Sequence, residues 1–508
     1  MKRTRKIPQI MATQHPDNAF GPYWRSGDDS PYVSTNDEVP ECFHAFSDLD
    51  CDEFMWDWEG KFVDEAVIDR LYHNYADYFK KNALGKDKFL TFRIPNTSNE
   101  SGVRLARAFM GIITAAQAAK NFGMHSPPMF EVILPMTTSA DQLIAVIKKF
   151  KKLTGYEEQI FEKVFYGNHP LDVIPLIEGS VSLLESKPLL KKYVKKYRGI
   201  YGKNPKYLRP FIARSDPALD AGYVPAVLAA RAALSEYYAF EKESKIKVYP
   251  ILGVGSLNFR GGLAPDNCKR FLKNYAGVRT VTIQSSFRYD HPQEEVQNAV
   301  KYLKRNLAKK NASSFSKDEL DEILGMCQSF ARHYRKTVQA LSTDISKFSR
   351  FIPKHRERIP HSGHFGYSRK VGKSKVGLPR AIGFTAVFFS LGVPPTLIGT
   401  GRGIAQFKKR GLIKELENYL PCLKEELAHE MQYFNAENLE LLIKKNKAWA
   451  EVQKDVQEII DYIGDGSFKV DPVYRNITSN VFHYWSSKKH DYLKEAILEA
   501  AKIRKCLG

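Results

Sequence analysis

The sequence predicts an α/β fold: a TIM-type (β/α)8 barrel with additional helices and a helical C-terminal region. Three observations carry that prediction. From residue 89 onward, short apolar, β-branched runs alternate with longer amphipathic stretches, which is the pattern of βαβ units around a parallel sheet. The runs are numerous enough to close a barrel. Beyond about residue 410 the strand signal stops and helical periodicity continues, broken at Pro421.

In chain order, strands are expected at 89–93 (FLTFR), 130–134 (FEVIL), 173–177 (VIPLI), 208–213 (LRPFIA), 247–252 (KVYPIL) and 280–284 (TVTIQ), with weaker signals near 359–365 and at 396–398. Helical patterns at 140–152, 225–243 and 292–307 lie between them. Residues 1–88 read as an N-terminal segment packed on the barrel, with 26–60, rich in Asp, Ser, Pro and Trp, as a long loop. Residues 89–410 are read as the barrel and 411–508 as the helical region, together one integrated domain.

Composition narrows the class. The 508 residues are 43% hydrophobic and 26% charged, which suits a globular chain with a large core. Six cysteines show no CxxC pair or framework spacing, so they read as reduced thiols of a cytoplasmic protein. Basic residues at Lys2, Arg3, Arg5 and Lys6 precede no apolar signal region. Residues 381–399 carry no charge, but three glycines and Pro394-Pro395 break the span a membrane would need; a buried helix followed by a buried strand is expected instead. The net charge of +20 suits nucleic acid or small anionic substrates. Its lysine clusters, at 148–152 and 191–198, have the spacing of solvated helix faces, and no nucleic-acid-binding motif accompanies them.

In a parallel barrel, catalytic groups come from the C-terminal ends of strands. Those positions here hold Arg93, Glu178, the stretch Arg214-Ser215-Asp216, Arg260 in a glycine-flanked loop, then Gln284 and Arg288. Glu178 and Asp216 together could hold one Mg²⁺ or Mn²⁺, which take oxygen ligands and keep waters for a substrate to displace. The arginines suit a substrate bearing phosphate or carboxylate. Singly, each has an ordinary alternative: a helix cap, an ion pair or a surface arginine. Upstream, the stretch IMATQHPDNA holds His15 at a corner fixed by Pro16 and the turn formers Asp17 and Asn18.

Together the motifs resemble the phosphoenolpyruvate carboxylases, in particular their short archaeal-type branch. TQHPDN (13–18) is similar to the family's catalytic-histidine motif and TFRIPN (91–96) to its arginine strand. VILPMTTSADQL (132–143), VIPLIEGSVSLL (173–184), ARSDPALDAG (213–222), VGSLNFRGGLAP (254–265), TVTIQSSFRY (280–289) and LPRAIGF (378–384) match further family motifs in the same order. The resemblance implies carboxylation of phosphoenolpyruvate by bicarbonate to oxaloacetate and phosphate, a CO₂-fixing step that proceeds through carboxyphosphate and an enolate. It implies catalytic roles for His15, Arg93 and Arg260, substrate binding by Arg214, Gln284, Arg288, Arg369 and Arg380, and Mg²⁺ (or Mn²⁺) on Glu178 and Asp216. It also implies a cytoplasmic homotetramer with neither nucleic acid nor membrane as a partner. The family's loop histidine and first loop arginine fall on Leu252 and Val254, and a family lysine falls on Leu219. The anion contacts of those groups are expected from Arg214, Arg288 or Arg369. The family's Asn-Thr-Gly tail, tied in larger members to aspartate inhibition, is replaced by Lys505-Cys506-Leu507-Gly508. Two other readings stay open: a lyase or phosphotransferase on the same barrel that does not use bicarbonate, and a basic nucleic-acid-binding protein.

Overall fold

The computed structural model describes residues 6–98, 100–124, 126–156, 171–357 and 377–508. Among the described residues, ten strands occur in chain order: β1 (Ile10–Thr13), β2 (Glu53–Asp57), β3 (Phe89–Arg93), β4 (Glu131–Leu134), β5 (Asp172–Ile177), β6 (Tyr207–Leu208), β7 (Phe211–Ala213), β8 (Lys247–Val248), β9 (Ile251–Gly253) and β10 (Thr280–Ile283). Eight of them close a barrel in the order β1-β10-β9-β7-β5-β4-β3-β2, and every pair in it is parallel. The TIM-type barrel expected from the alternating pattern is therefore present. β6 and β8 pair with each other just before β7 and β9. Pro210 and Pro250 separate these short ladders because proline has no N–H to donate. Their carbonyls remain in use: Ile251 N donates to Pro210 O at 2.9 Å.

Three expectations are corrected. The barrel does not begin at residue 89, because β1 and β2 are two of its eight staves. Nor is 26–60 a long loop, since it contains the helix Glu38–Ser47 and β2. The sequence EFMWD hides its strand because Glu53 and Asp57 look like solvent-facing residues. Both are buried, and each is neutralised by an arginine. The signal at 396–398 is a 3-10 helix, Pro395–Leu397, started by the double proline. The signal at 359–365 lies outside the described residues.

Alternate residues of a strand share a face, so Glu53, Met55 and Asp57 stack along the barrel interior. The middle layer is apolar, with Met55, Ile133, Ile174, Leu176, Phe211 and Ile251 in one buried cluster. Beneath it lies an ionic floor. Arg209 donates to Glu53 Oε2 at 2.6 Å and to Glu131 Oε2 at 2.7 Å, and all three side chains are at most 3% exposed. Tyr207 and Thr91 donate to the same carboxylates.

Helices enclose this barrel. The longest, Lys317–Ser349, begins with a capping box between Ser316 and Glu319 and packs against helices Tyr223–Ser244 and Ala381–Ser390. Helices from Ile413–Tyr419 to His490–Ile503 form the C-terminal region. After them the chain returns to the barrel mouth, where Leu507 N donates to Asp17 O at 2.6 Å. The uncharged segment starts with the mostly buried helix Ala381–Ser390. No single helix among the described residues is long and apolar enough to cross a membrane.

Candidate active site

The C-terminal ends of the strands open into a cavity of about 330 Å³, within the range of small-molecule sites. His15, Arg93, Glu178, Asp216, Arg260, Gln284 and Arg380 all line it. Seven of the ten expected site residues therefore meet in one space, although they come from seven separate stretches of chain.

The His15 corner is fixed on every side. Thr13 Oγ1 lies 2.9 Å from His15 Nδ1, and the His15 carbonyl accepts from Asp17 N at 3.1 Å and Ser285 N at 3.3 Å. Gln14 accepts from Asp57 N at 2.9 Å. Asp17 accepts from Ser286 N at 2.8 Å and from Arg260 at 2.9 Å. The buried Asp290 takes the Ala19 and Phe20 N–H groups at 2.7 and 2.8 Å. Most polar groups of the segment thus exchange their water for a fixed partner, which holds the imidazole in place.

Arg93 and Asp57 are register partners on β3 and β2, and they pair bidentately at 2.8 and 2.7 Å. Glu59 adds a third contact at 3.2 Å, and it also lies 3.5 Å from Arg380. Glu100 stands close by. Burial, opposed by Arg104 and reinforced by Glu59 and Asp57, raises its carboxyl to about 7, so part of the local negative charge is removed at neutral pH.

Arg260 donates to Ser215, Asp17, Gln284 and the Gly508 carbonyl. Its loop folds back on itself, with Gly255 N donating to Arg260 O at 2.9 Å. Two glycines make that turn possible. A Cβ on Gly255 would come within 2.9 Å of the Arg260 guanidinium carbon; at Gly261, with φ of +123°, it would come within 2.4 Å of Val254.

Two expected residues lie elsewhere. Arg214 does not reach the cavity: it is fully buried, with Nε donating to Tyr275 at 2.8 Å. Arg288 is buried as well and donates to the Thr13 carbonyl at 2.7 Å and to Glu41 at 2.9 Å, so it braces the strand that carries His15. Arg369 lies outside the described residues. Leu219, Leu252 and Val254 are buried apolar residues of the core.

The sequence reading missed Glu59, Lys354, His355 and Arg356, which also line the cavity. Asp57 and Glu59 would have stood out had EFMWD been read as a strand, because they lie at and just beyond its C-terminal end. The stretch 352–356 follows a helix, so no strand-end rule points to it. Arg356 reaches both Glu41 oxygens at 2.6 Å.

Among the described residues, no group of three or more His, Cys, Asp or Glu side chains is arranged to hold a metal. Glu178 and Asp216 on one cavity wall still fit a hard cation that takes one or two carboxylates and completes its shell with water and substrate oxygens.

The phosphoenolpyruvate carboxylase family model matches residues 7–508. The chain is 40% identical over 460 residues to the phosphoenolpyruvate carboxylase of Oenococcus oeni, which covers 90% of each chain. It is 36% identical to that of Metallosphaera sedula across 99% of this chain and all of the relative. It is 40% identical to that of Pyrococcus horikoshii across 84% and 89% of the two chains. Matches of that length and identity, on a barrel that gathers the expected residues at its mouth, assign the chain to the phosphoenolpyruvate carboxylases, a family of carboxy-lyases.

Proposed function

We propose that this chain joins phosphoenolpyruvate and bicarbonate to give oxaloacetate and phosphate. The observation that carries the reading is the convergence of His15, Arg93, Arg260, Glu178 and Asp216 on one cavity. The names of the relatives support the same reaction.

Arg93 and Arg260 bind the substrate's phosphate and carboxylate, with Gln284 and Arg380 orienting them. Bicarbonate oxygen bonds to phosphorus as the bridging C–O–P link opens, and its electron pair stays on the enolate oxygen. A Mg²⁺ or Mn²⁺ held by Glu178 and Asp216 would supply positive charge against the enolate and phosphate oxygens. His15 accepts the carboxyl proton of carboxyphosphate; an imidazole, with a pKa in water of about 6.5, is suited to that transfer. Loss of the proton breaks the carboxyl–phosphate bond and releases CO₂ beside the enolate, whose carbon attacks it. The buried walls keep acids from the enolate, which would otherwise be protonated to pyruvate. The reading includes a cytoplasmic homotetramer.

Oxaloacetate formation is measured with Mg²⁺ through NADH oxidation by malate dehydrogenase, with and without bicarbonate. A bicarbonate-dependent rate is expected without added nucleotide; pyruvate as the product would sink the proposal. His15→Asn is expected to lower oxaloacetate formation by about 10² to 10⁴-fold, the usual weight of a general base, while some bicarbonate-dependent phosphate release persists. Normal oxaloacetate formation by that variant would remove the role given to His15.

A further inference from the structure

Almost every cation on the cavity wall is already committed to a carboxylate. Arg93 is held by Asp57 and Glu59, Arg260 by Asp17, and Arg356 by Glu38 and Glu41. Arg380 stands 3.5 Å from Glu59. His355 adds no charge at neutral pH, because burial, opposed by a backbone hydrogen bond with Asn18, lowers its imidazole to about 4. A substrate with phosphate and carboxylate groups therefore meets arginines whose charge is largely balanced.

Among the described residues, Lys354 is the exception. It lines the cavity and is exposed, and among the described residues no carboxylate lies within 4 Å of its ammonium. Its backbone is nonetheless clamped. Pro353 fixes its own φ on one side. On the other, the His355 carbonyl accepts from Val33 N at 2.9 Å, and Arg356 is locked on Glu41. A fixed backbone thus carries a flexible four-carbon stem with a compact charge and three donors, which can follow an oxyanion without a set angle of approach.

We infer that Lys354 is a substrate-binding residue whose ammonium takes an oxyanion of phosphoenolpyruvate at the cavity rim. The assignment rests on the proposed function for the identity of the anion. Of the arginines expected to make up for the family cations absent at Leu219 and Val254, Arg214 and Arg288 are buried away from the cavity, and Arg369 lies outside the described residues.

The test compares wild type with Lys354→Met, which keeps the stem, and Lys354→Arg, which keeps the charge. Lys354→Met is expected to raise the KM for phosphoenolpyruvate about tenfold, with kcat within about twofold and KM for bicarbonate unchanged, as for loss of one charged contact at a rim. Lys354→Arg is expected to restore most of the affinity. An unchanged KM for phosphoenolpyruvate in Lys354→Met, or an arginine variant as weak as the methionine one, would overturn the assignment. Inorganic phosphate as a competitive inhibitor separates the two oxyanions. A weaker Ki in Lys354→Met assigns the contact to the phosphate group, and an unchanged Ki alongside a raised KM assigns it to the carboxylate. Calorimetric titration of each protein with phosphoenolpyruvate and Mg²⁺, without bicarbonate, keeps this test apart from the reaction. If wild type makes no oxaloacetate, the proposed reaction fails, yet a tenfold loss of affinity in Lys354→Met still upholds the lysine contact, and equal affinity still refutes it.

Discussion

The two ends of the barrel use the same side chains for opposite purposes. β2 carries both: Glu53 at its start belongs to the floor, and Asp57 at its end belongs to the mouth. On the floor, Arg209 is shared by Glu53 and Glu131 with every carboxylate occupied and no measurable exposure of the guanidinium. At the mouth, Asp57 and Glu59 hold Arg93 beside a cavity where Glu178 and Asp216 are only half-buried. The apolar layer around Met55 separates the two. An arginine–carboxylate cluster alone therefore says nothing about function. What distinguishes the mouth is its unfilled volume and its position at the strand C-termini.

The comparison breaks most sharply at Asp216. Asp216→Asn removes the carboxylate proposed as a cation ligand without changing side-chain volume, and oxaloacetate formation is expected to fall by about 10³-fold or more with the melting temperature nearly unchanged. Unchanged dependence of the rate on Mg²⁺ would rule out the proposed metal site. The floor should respond in the opposite way. Arg209→Met leaves two buried carboxylates without their cation, and stability is expected to fall by about 3–5 kcal/mol. The kcat and KM of the molecules that remain folded should match wild type. A catalytic defect with intact stability would mean that the floor is coupled to the chemistry. Adding Glu53→Gln to Arg209→Met should recover part of the loss, because one of the stranded charges is gone.

What the sequence showed, and what it hid, divides along the same line. Strands with apolar or β-branched runs, such as VIPLI and TVTI, were legible because both faces are buried. β2 was not, since its acidic ends are acceptable inside the barrel only through arginines that are far away in sequence. β1 has only four strand residues between Pro8 and Gln14, too few for a periodic signal. At the site, motif order located His15, Arg93, Glu178, Asp216 and Arg260 correctly at one cavity. It did not show that Arg214 and Arg288 lie buried away from that cavity. Residue type and spacing cannot show that Arg288 is already spent on the Thr13 carbonyl and Glu41, or Arg214 on Tyr275. For the same reason Lys354 drew no notice: that no carboxylate among the described residues pairs with it is visible only in three dimensions.

A smaller effect tests how the mouth is braced. Glu41 is fully buried and joins Arg356 on the cavity wall to Arg288 beneath the His15 strand. Burial pushes its carboxyl up, but the Arg356 and Arg288 charges and hydrogen bonds outweigh that and lower it from 4.5 to about 2. A carboxylate lowered in this way stabilises the fold fully above its unfolded pKa, and the contribution drains away as pH falls through its folded pKa. The window here runs from about pH 4.5 down to about pH 2. Glu41→Gln imitates the protonated acid, so it should cost on the order of 3 kcal/mol at neutral pH, the gap shrinking steadily across that window. Denaturant titrations of both proteins at a series of pH values measure the gap. A difference that stays constant from pH 6 to pH 2.5 would show that Glu41 acts through shape and hydrogen bonding alone, and the charge-based brace between the wall and the His15 corner would have to be given up.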